Sequence, residues 1–343
     1  MDYFCEKKER RNHMIGLAPV DGITDAAFRQ VVDELGKPDF MYTEFVPTEG
    51  LFRGRETLLH ALNKHKTKTP VIAQFFGPHP QYYSCAFFIA AELGFSGVDV
   101  NMGCPDTHVV QKGGGAALLL DLPRAREIVK TLLKARKEWK NGKRLADTDL
   151  PENMKRAVKK LQVTSYKLQK KGDILISIKT RIGYHSSQVD EVIPYLIESG
   201  VERIALHGRT FEARYSGHAD WDEIAKAKEF TKGTEVTLWG NGDVKSVSEA
   251  NEKIKTYGVD GVLIARAAFG NPWIFKDYTA SVEERNRAML YHAKLFLYYR
   301  PDLDLRPMRK HLSWYCKGIE GSAKLRDKLM KVKTLDDLSV ILR

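Results

Sequence analysis

The sequence predicts an α/β chain folded as a closed (β/α)8 TIM barrel, with a small helical domain after it and a basic helical insertion between strands 4 and 5. Three observations carry this reading. Eight short apolar runs recur along roughly the first 265 residues, with helix-like stretches between them. Polar residues able to do chemistry fall at the ends of most of those runs, and positive charge is concentrated in two segments outside the repeat.

The elements follow in order. Residues 14–20 form the first strand and lead to a helix over 25–35, with Thr24 as its N-cap. Residues 39–45 and 70–76 are the second and third strands, and the helix that follows, over 81–93, stops at Gly94. The fourth strand, 97–101, precedes a helix over 123–139. Residues 173–180, 202–207, 235–239 and 260–265 complete the set. Eight strands with helices between them favour a closed barrel over an open sheet.

A chain of 343 residues that is 43% hydrophobic can bury a full core. The apolar run 85–91 is too short to span a bilayer, and the charged first residues lack the apolar stretch of a signal peptide, so a soluble cytoplasmic protein with no membrane association is expected. Cys5, Cys85, Cys104 and Cys316 are widely spaced with no C-x-x-C pattern. That spacing argues against a metal site or a disulfide framework.

A barrel of this kind places its chemistry at the C-terminal ends of its strands. Gln74, Asn101, Lys179, Arg181, His207 and Arg209 stand at such ends, and Asn241, Asp243 and Arg266 follow the last two strands. Along the fifth strand three Ile share one face, while Ser177, Lys179 and Arg181 share the other. Cys104 sits between Gly103 and Pro105 on the turn after the fourth strand. The run Gly113–Gly115 suits close backbone approach to a flat or anionic group. Gly240–Asp243 and Ala265–Ala268 occupy the loops where barrels usually bind phosphate, through converging peptide N–H groups and a guanidinium.

The net charge of +11 becomes informative once located. Residues 140–172 hold ten Lys/Arg against three Asp/Glu, and residues 283–343 hold fourteen against eight, leaving the remaining chain slightly acidic. Two basic segments flanking a near-neutral body point to a polyanionic partner, most simply a nucleic acid. In the insertion, a helix starting near Pro151 carries Met154, Val158, Leu161 and Leu168 on one stripe. Its Lys155, Lys159, Lys160, Lys167 and Lys171 lie elsewhere and are expected to add nucleic-acid contacts. In the C-terminal segment Met289, Ala293, Phe296 and Leu297 mark amphipathic helix, and Pro301 and Pro307 separate helices.

These residues, taken together, resemble the tRNA-dihydrouridine synthases. The resemblance rests on an ordered set: Leu17–Asp25 with Phe28-Arg29, Ala73–Gly77, Val100–Pro105, Lys179–Gly183, His207–Thr210, Gly240–Asp243, Ala265–Trp273, and Arg309–Leu312 with Trp314-Tyr315. It spans most of the chain apart from the first dozen residues and roughly 140–172. Val20 stands where the family commonly has Met, and Ala265 where it frequently has Gly.

The resemblance implies an FMN-dependent oxidoreductase that reduces the C5=C6 bond of selected uridines in tRNA, recharged by NADPH (or NADH); a monomer is expected. Residues 1–280 would be the FMN-binding barrel, with 139–172 inserted in it, and 281–343 the helical tRNA-binding domain. Pro19, Val20 and Asp21 would border the flavin ring, Gln74 and Lys179 would contact its edge, and His207 would add a polar contact. Asn241, Gly242, Asp243, Ala265 and Arg266 would hold its phosphate. Cys104 would be the proton donor, a role that suits a thiol with a pKa of about 8.5. Asn101 and Arg181 would hold the uracil, while Arg309 and Lys310, along with Lys294, Arg306 and Lys324, would meet tRNA phosphates. Two other readings stay open: a flavin barrel acting on a free pyrimidine, like a dihydroorotate dehydrogenase, and an RNA-binding barrel without catalysis.

Overall fold

The computed structural model describes residues 14–64, 67–164 and 173–343, the side chains of 163 and 164 excepted. Cys5, Lys167, Leu168 and Lys171 lie outside the described residues. Eight parallel strands close into a barrel in chain order: β1 (Met14–Leu17), β2 (Phe40–Pro47), β3 (Val71–Phe76), β4 (Gly97–Met102), β5 (Leu175–Arg181), β6 (Arg203–His207), β7 (Thr237–Asn241) and β8 (Gly261–Ile264).

Alternation along the strands decides what faces the lumen. In β5, Ile176 and Ile178 are buried in the layer between strands and helices, and Ser177 points inward to the Asp99 carboxylate of β4. Phe40, Tyr42, Ile72, Ala205, Trp239 and Leu263 fill the lower lumen as a cluster of their own. Glycine makes room for this plug: a Cβ on Gly16 would fall 2.2 Å from the Phe40 ring. The Arg203 guanidinium lies 3.7 Å from the Trp239 ring centroid within this layer. Apolar packing thus closes the lower barrel, and the polar residues are left at the C-terminal rim. Strand register sets their neighbours, pairing Asn101 with Lys179, and His207 with both Arg181 and Asn241.

The helices are α1 (Ala26–Leu35), α2 (Thr48–Phe52), α3 (Pro80–Glu92), α4 (Thr107–Gln111), α5 (Leu122–Lys140), α6 (Glu152–Thr164), α7 (Val189–Glu198), α8 (Trp221–Thr231), α9 (Val247–Tyr257), α10 (Val282–Tyr299), α11 (Arg309–Tyr315), α12 (Ser322–Leu329) and α13 (Leu335–Ile341). Two local expectations are corrected. The N-cap of α1 is Asp25, whose carboxylate accepts the Phe28 N–H at 2.7 Å. The Thr24 hydroxyl is spent one turn earlier, accepting from the Val20 N–H and donating to the Val20 carbonyl. Nor does a full helix follow every strand, because the span after β2 holds only α2 and a 3-10 turn, Glu56–Leu62, and β8 is followed by 3-10 turns before α10.

The insertion becomes α6, which lies along the outer flank of α3. Met154 and Val158 are buried there. Asn153 donates to the Gly54 carbonyl in the loop after β2, while Gln162 donates to Glu92 at the far end of α3. Lys155 leaves the expected set of nucleic-acid contacts, since its ammonium is held by the Ala146 carbonyl and Glu152. Lys159 and Lys160 are exposed.

Helices α10–α13 share a second core that includes Met289, Phe296, Met308, Leu312, Tyr315, Leu329 and Leu338. This unit docks on α1. Tyr291 donates to Glu34, and Tyr299 donates to Gln30 at 2.8 Å. The barrel's last loop meets α11 backbone to backbone at Gly270, whose φ is +68° and whose Cβ would fall 2.2 Å from the Trp314 carbonyl carbon. That contact brings Trp314 to the barrel mouth.

Candidate active site

A cavity of about 1180 Å3 opens at the C-terminal end of the barrel. Its wall contains Cys104, Pro19, Val20, Asp21, Gln74, Asn101, Lys179, Arg181, His207, Asn241, Gly242, Asp243, Ala265 and Arg266. Every rim residue that the family resemblance assigns to the cofactor or the reaction therefore meets in one place.

The Cys104 loop is tightly held. The Asn101 side-chain Oδ1 accepts the N–H of Gly103 at 3.1 Å and of Cys104 at 2.9 Å, and Arg181 Nε donates to the Gly103 carbonyl at 2.7 Å. The Cys104 carbonyl accepts the Ala116 N–H. Beneath it, Gly115 has a φ of +59°, and a Cβ there would sit 2.9 Å from the Cys104 carbonyl oxygen. The glycine run so corrects its expected role. Gly113 packs on Pro78, Gly114 on Gly77 and Gly115 on Cys104, so the run supports the thiol loop and does not line the cavity. Burial pushes the Cys104 thiol up from its ordinary range, and the nearby Asp106 and Asp21 carboxylates add to this against the opposing Asp106 N–H and Arg181. It is a neutral thiol at pH 7.

Asn101 is committed as well. Its Oδ1 holds two N–H groups and its Nδ2 donates to Gln74 Oε1 at 3.1 Å. Asn101 thus holds the loop in place and keeps one Nδ2 hydrogen, in the cavity wall, for the expected substrate contact. Arg181 is partly spent, with Nη1 donating to the Thr210 and Arg214 carbonyls, and keeps Nη2.

Below the rim lies a residue that sequence reading passed over. Asp99, fully buried, accepts from Gln74 Nε2 at 2.7 Å and from the Ser177 hydroxyl. Burial pushes its pKa up to about 6 against these hydrogen bonds, which leaves it predominantly ionised at neutral pH and fixes the Gln74 amide with its nitrogen toward Asp99. The signal was its position: Asp99 precedes Asn101 by two residues on the same strand face. Above it, the Lys179 pKa is lowered to about 8 by burial and then by Arg181. Burial, followed by Lys179, Arg181, Arg209 and Arg266, keeps His207 far below its ordinary range, hence neutral.

At the other end, Gly242 has a φ of +129°, and its Cβ would fall 2.4 Å from that of Ala219. Asn241 donates to the Leu263 carbonyl. The Asp243 side chain is a brace, which leaves only the peptide N–H of this residue for the expected anion contact: its carboxylate accepts from Arg209 at 2.6 Å, Arg266 at 2.8 Å and the Ala219 N–H at 2.8 Å. Burial alone would raise its pKa, yet the Arg209 hydrogen bond and these neighbours hold it below the usual carboxylate range. A carboxylate cannot donate to a phosphate, and this one instead orients Arg266, which can.

The helical unit contributes residues no strand pattern announces. Trp314 stacks on Phe269 with ring centroids 4.7 Å apart, and Arg285 and Lys317 reach the cavity wall. Of the expected phosphate contacts, Arg309 is committed to the Val332 and Lys331 carbonyls, and Arg306 to Asp304. Lys310 belongs to a neighbouring cavity, and Lys294 and Lys324 are exposed. Among the described residues no cluster of three metal-ligating side chains occurs, and no helix is long and apolar enough to cross a membrane.

Comparison with known proteins gives a consistent family. A "Probable tRNA-dihydrouridine synthase 1" of Synechocystis sp. is 28% identical over 333 residues, covering 93% of this chain and 82% of that protein. A "Probable tRNA-dihydrouridine synthase" of Staphylococcus aureus is 28% identical over 341 residues, covering 95% and 91%. The family model described as dihydrouridine synthase matches residues 16–143 and 154–342, interrupted only at the start of the basic insertion. With that extent of match, and with the motif residues gathered at one barrel mouth, the chain belongs to the dihydrouridine synthase family.

Proposed function

We propose that this protein reduces uridine in tRNA to 5,6-dihydrouridine, using FMN and a nicotinamide dinucleotide, NADPH or NADH. Family membership and the names of its relatives support the reaction. The observation that carries the chemistry is the neutral Cys104 thiol, fixed on a braced loop in the wall of the cavity that also holds Lys179 and Gln74.

The residues present fit a flavin. The cavity exceeds the ~300–1,000 Å3 usual for small ligands, which leaves room for a tricyclic ring and a pyrimidine together. Gly242 provides a cradle that any side chain would fill, and Lys179 has no hydrogen-bond partner among the described residues. When bound there, FMN supplies the hydride that adds to C6 of the uracil.

The chain's own residues do the rest. Pro19, Val20 and Asp21 border the ring, Gln74 presents a fixed amide to its edge, and Lys179 places positive charge where negative charge builds. His207 is a neutral hydrogen-bonding partner. Arg266 and the backbone N–H groups around Asn241, Gly242 and Ala265 hold the phosphate. Arg181 Nη2 reaches a carbonyl oxygen of the uracil. Cys104 gives its Sγ proton to C5, so hydride and proton together saturate the C5=C6 bond, and the thiolate is reprotonated from solvent.

A stacked uridine cannot reach this depth, so the base must be extruded at a cost of a few kcal/mol, offset by backbone contacts. Lys317 at the mouth, with exposed Lys294 and Lys324, supplies those contacts from the helical domain, and Lys159 and Lys160 extend them along the barrel flank. The test is nucleoside mass spectrometry with position mapping on unmodified tRNA incubated with FMN-loaded protein and NADPH. Dihydrouridine at defined positions is expected. Reduction of free uracil or orotate with none in tRNA overturns the proposal.

A further inference from the structure

A second cavity, of about 560 Å3, lies between the barrel rim and the helical domain. It shares Asp21, Phe45 and Asp106 with the first, so the two are contiguous. Its walls have the two characters a nucleobase needs. Phe45 and Phe76, packed edge to face with centroids 5.3 Å apart, give aromatic surface. Glu44 gives a half-buried carboxyl group with one bond from the Gly22 N–H, and Lys310 gives an ammonium beside Gly22.

We propose that this cavity holds the base of a nucleotide adjacent to the target uridine, and that it prefers guanine. The proposal rests on the function proposed above and adds a determinant of which uridine is chosen. Continuity through Phe45 is the first argument: once the uridine is drawn into the reaction cavity, its neighbour on the same strand is carried to the adjoining one. Hydrogen-bond complementarity is the second. The carboxyl groups here accept, and guanine presents two N–H donors side by side on its Watson–Crick edge. Adenine and cytosine present a single amino group, and uracil turns carbonyl oxygens toward the carboxylates. Lys310 stands where a backbone phosphate would enter.

The experiment measures, at pH 8 where Glu44 is mostly ionised, the equilibrium affinity of the FMN-loaded protein for tRNA transcripts that differ only in the nucleotides flanking the target, read by fluorescence anisotropy. Dihydrouridine yield is measured separately. Guanine beside the target is expected to bind at least about fivefold tighter than uracil, the size of one paired base contact. Glu44→Gln, which replaces a two-acceptor edge with one donor and one acceptor, should remove that difference without changing flavin content. Ala61→Trp, which fills the cavity from the wall, should remove it too, so that one misfolded variant does not decide the matter. Equal affinity for all four flanking bases, or discrimination that survives both substitutions, overturns the proposal. Absence of dihydrouridine from every transcript overturns instead the function on which it rests.

Discussion

The side chain of Asn101 accepts the backbone N–H of Cys104 at 2.9 Å, so the strand that delivers the thiol also sets its height above the barrel. The same oxygen takes the Gly103 N–H. Asn101→Ala leaves both donors in a buried loop without that acceptor, at a cost of about 1–3 kcal/mol each. The expected outcome is a lower melting temperature and at least a tenfold slower single-turnover formation of dihydrouridine, with flavin content little changed. An unaltered rate at saturating RNA would show that the loop keeps its position without Asn101.

In the role proposed for it, the raised thiol of Cys104 gives the reaction a particular pH profile. A proton donor works below its pKa and fails above it, and burial moves this one upward from an ordinary cysteine, at about 8.5. Activity should therefore persist through neutral pH and decline only on the alkaline side. Cys104→Ala should cut the rate about 100-fold or more while leaving flavin and RNA binding intact. A rate in the alanine variant within a few-fold of the parent would remove Cys104 from the mechanism.

Gly242 is fixed by backbone and space together. Its φ of +129° is one that side chains rarely adopt, and the added methyl would overlap Ala219. Gly242→Ala should weaken flavin retention by an order of magnitude or more, seen as colour lost on gel filtration and restored by excess FMN. Full retention would place the phosphate elsewhere on the rim.

Glu44 makes stability depend on pH. Burial first, then Asp25 and Asp21, raise its pKa to about 7, above the roughly 4.3 of an unfolded glutamate. The stability tied to its protonated form is complete below about pH 4 and is lost as pH rises to about 7, because the unfolded chain releases the proton first. Glu44→Gln does not ionise, so its melting temperature should gain on the parent at pH 8 and gain less at pH 5. The opposite trend in thermal melts would mean that Arg29 stabilises the charged form more than burial penalises it.

Local pattern carried the barrel a long way. The period-two alternation of the fifth strand placed Lys179 and Ser177 opposite the three Ile, and the strand-end rule gathered the rim residues, because both depend only on the geometry of an extended chain. Thr24 against Asp25 was beyond it, since two good capping residues stood side by side and the turn at Val20 decided between them.

What the sequence determined by itself was which residues are at the barrel mouth, since strand ends, glycine turns and a thiol between Gly and Pro are properties of neighbours along the chain. What only the tertiary structure decided was which of their donors and acceptors remain free. The Asn101 amide oxygen, the Asp243 carboxylate, the Lys155 ammonium and Arg309 Nε all carry the right chemistry, yet each is committed to a partner. Asp99, Glu44, Trp314 and Arg285 gain their place from elements that meet only after folding. A hydrogen-bonding group serves a ligand with whatever capacity the fold leaves it, and that remainder is set by the three-dimensional neighbourhood.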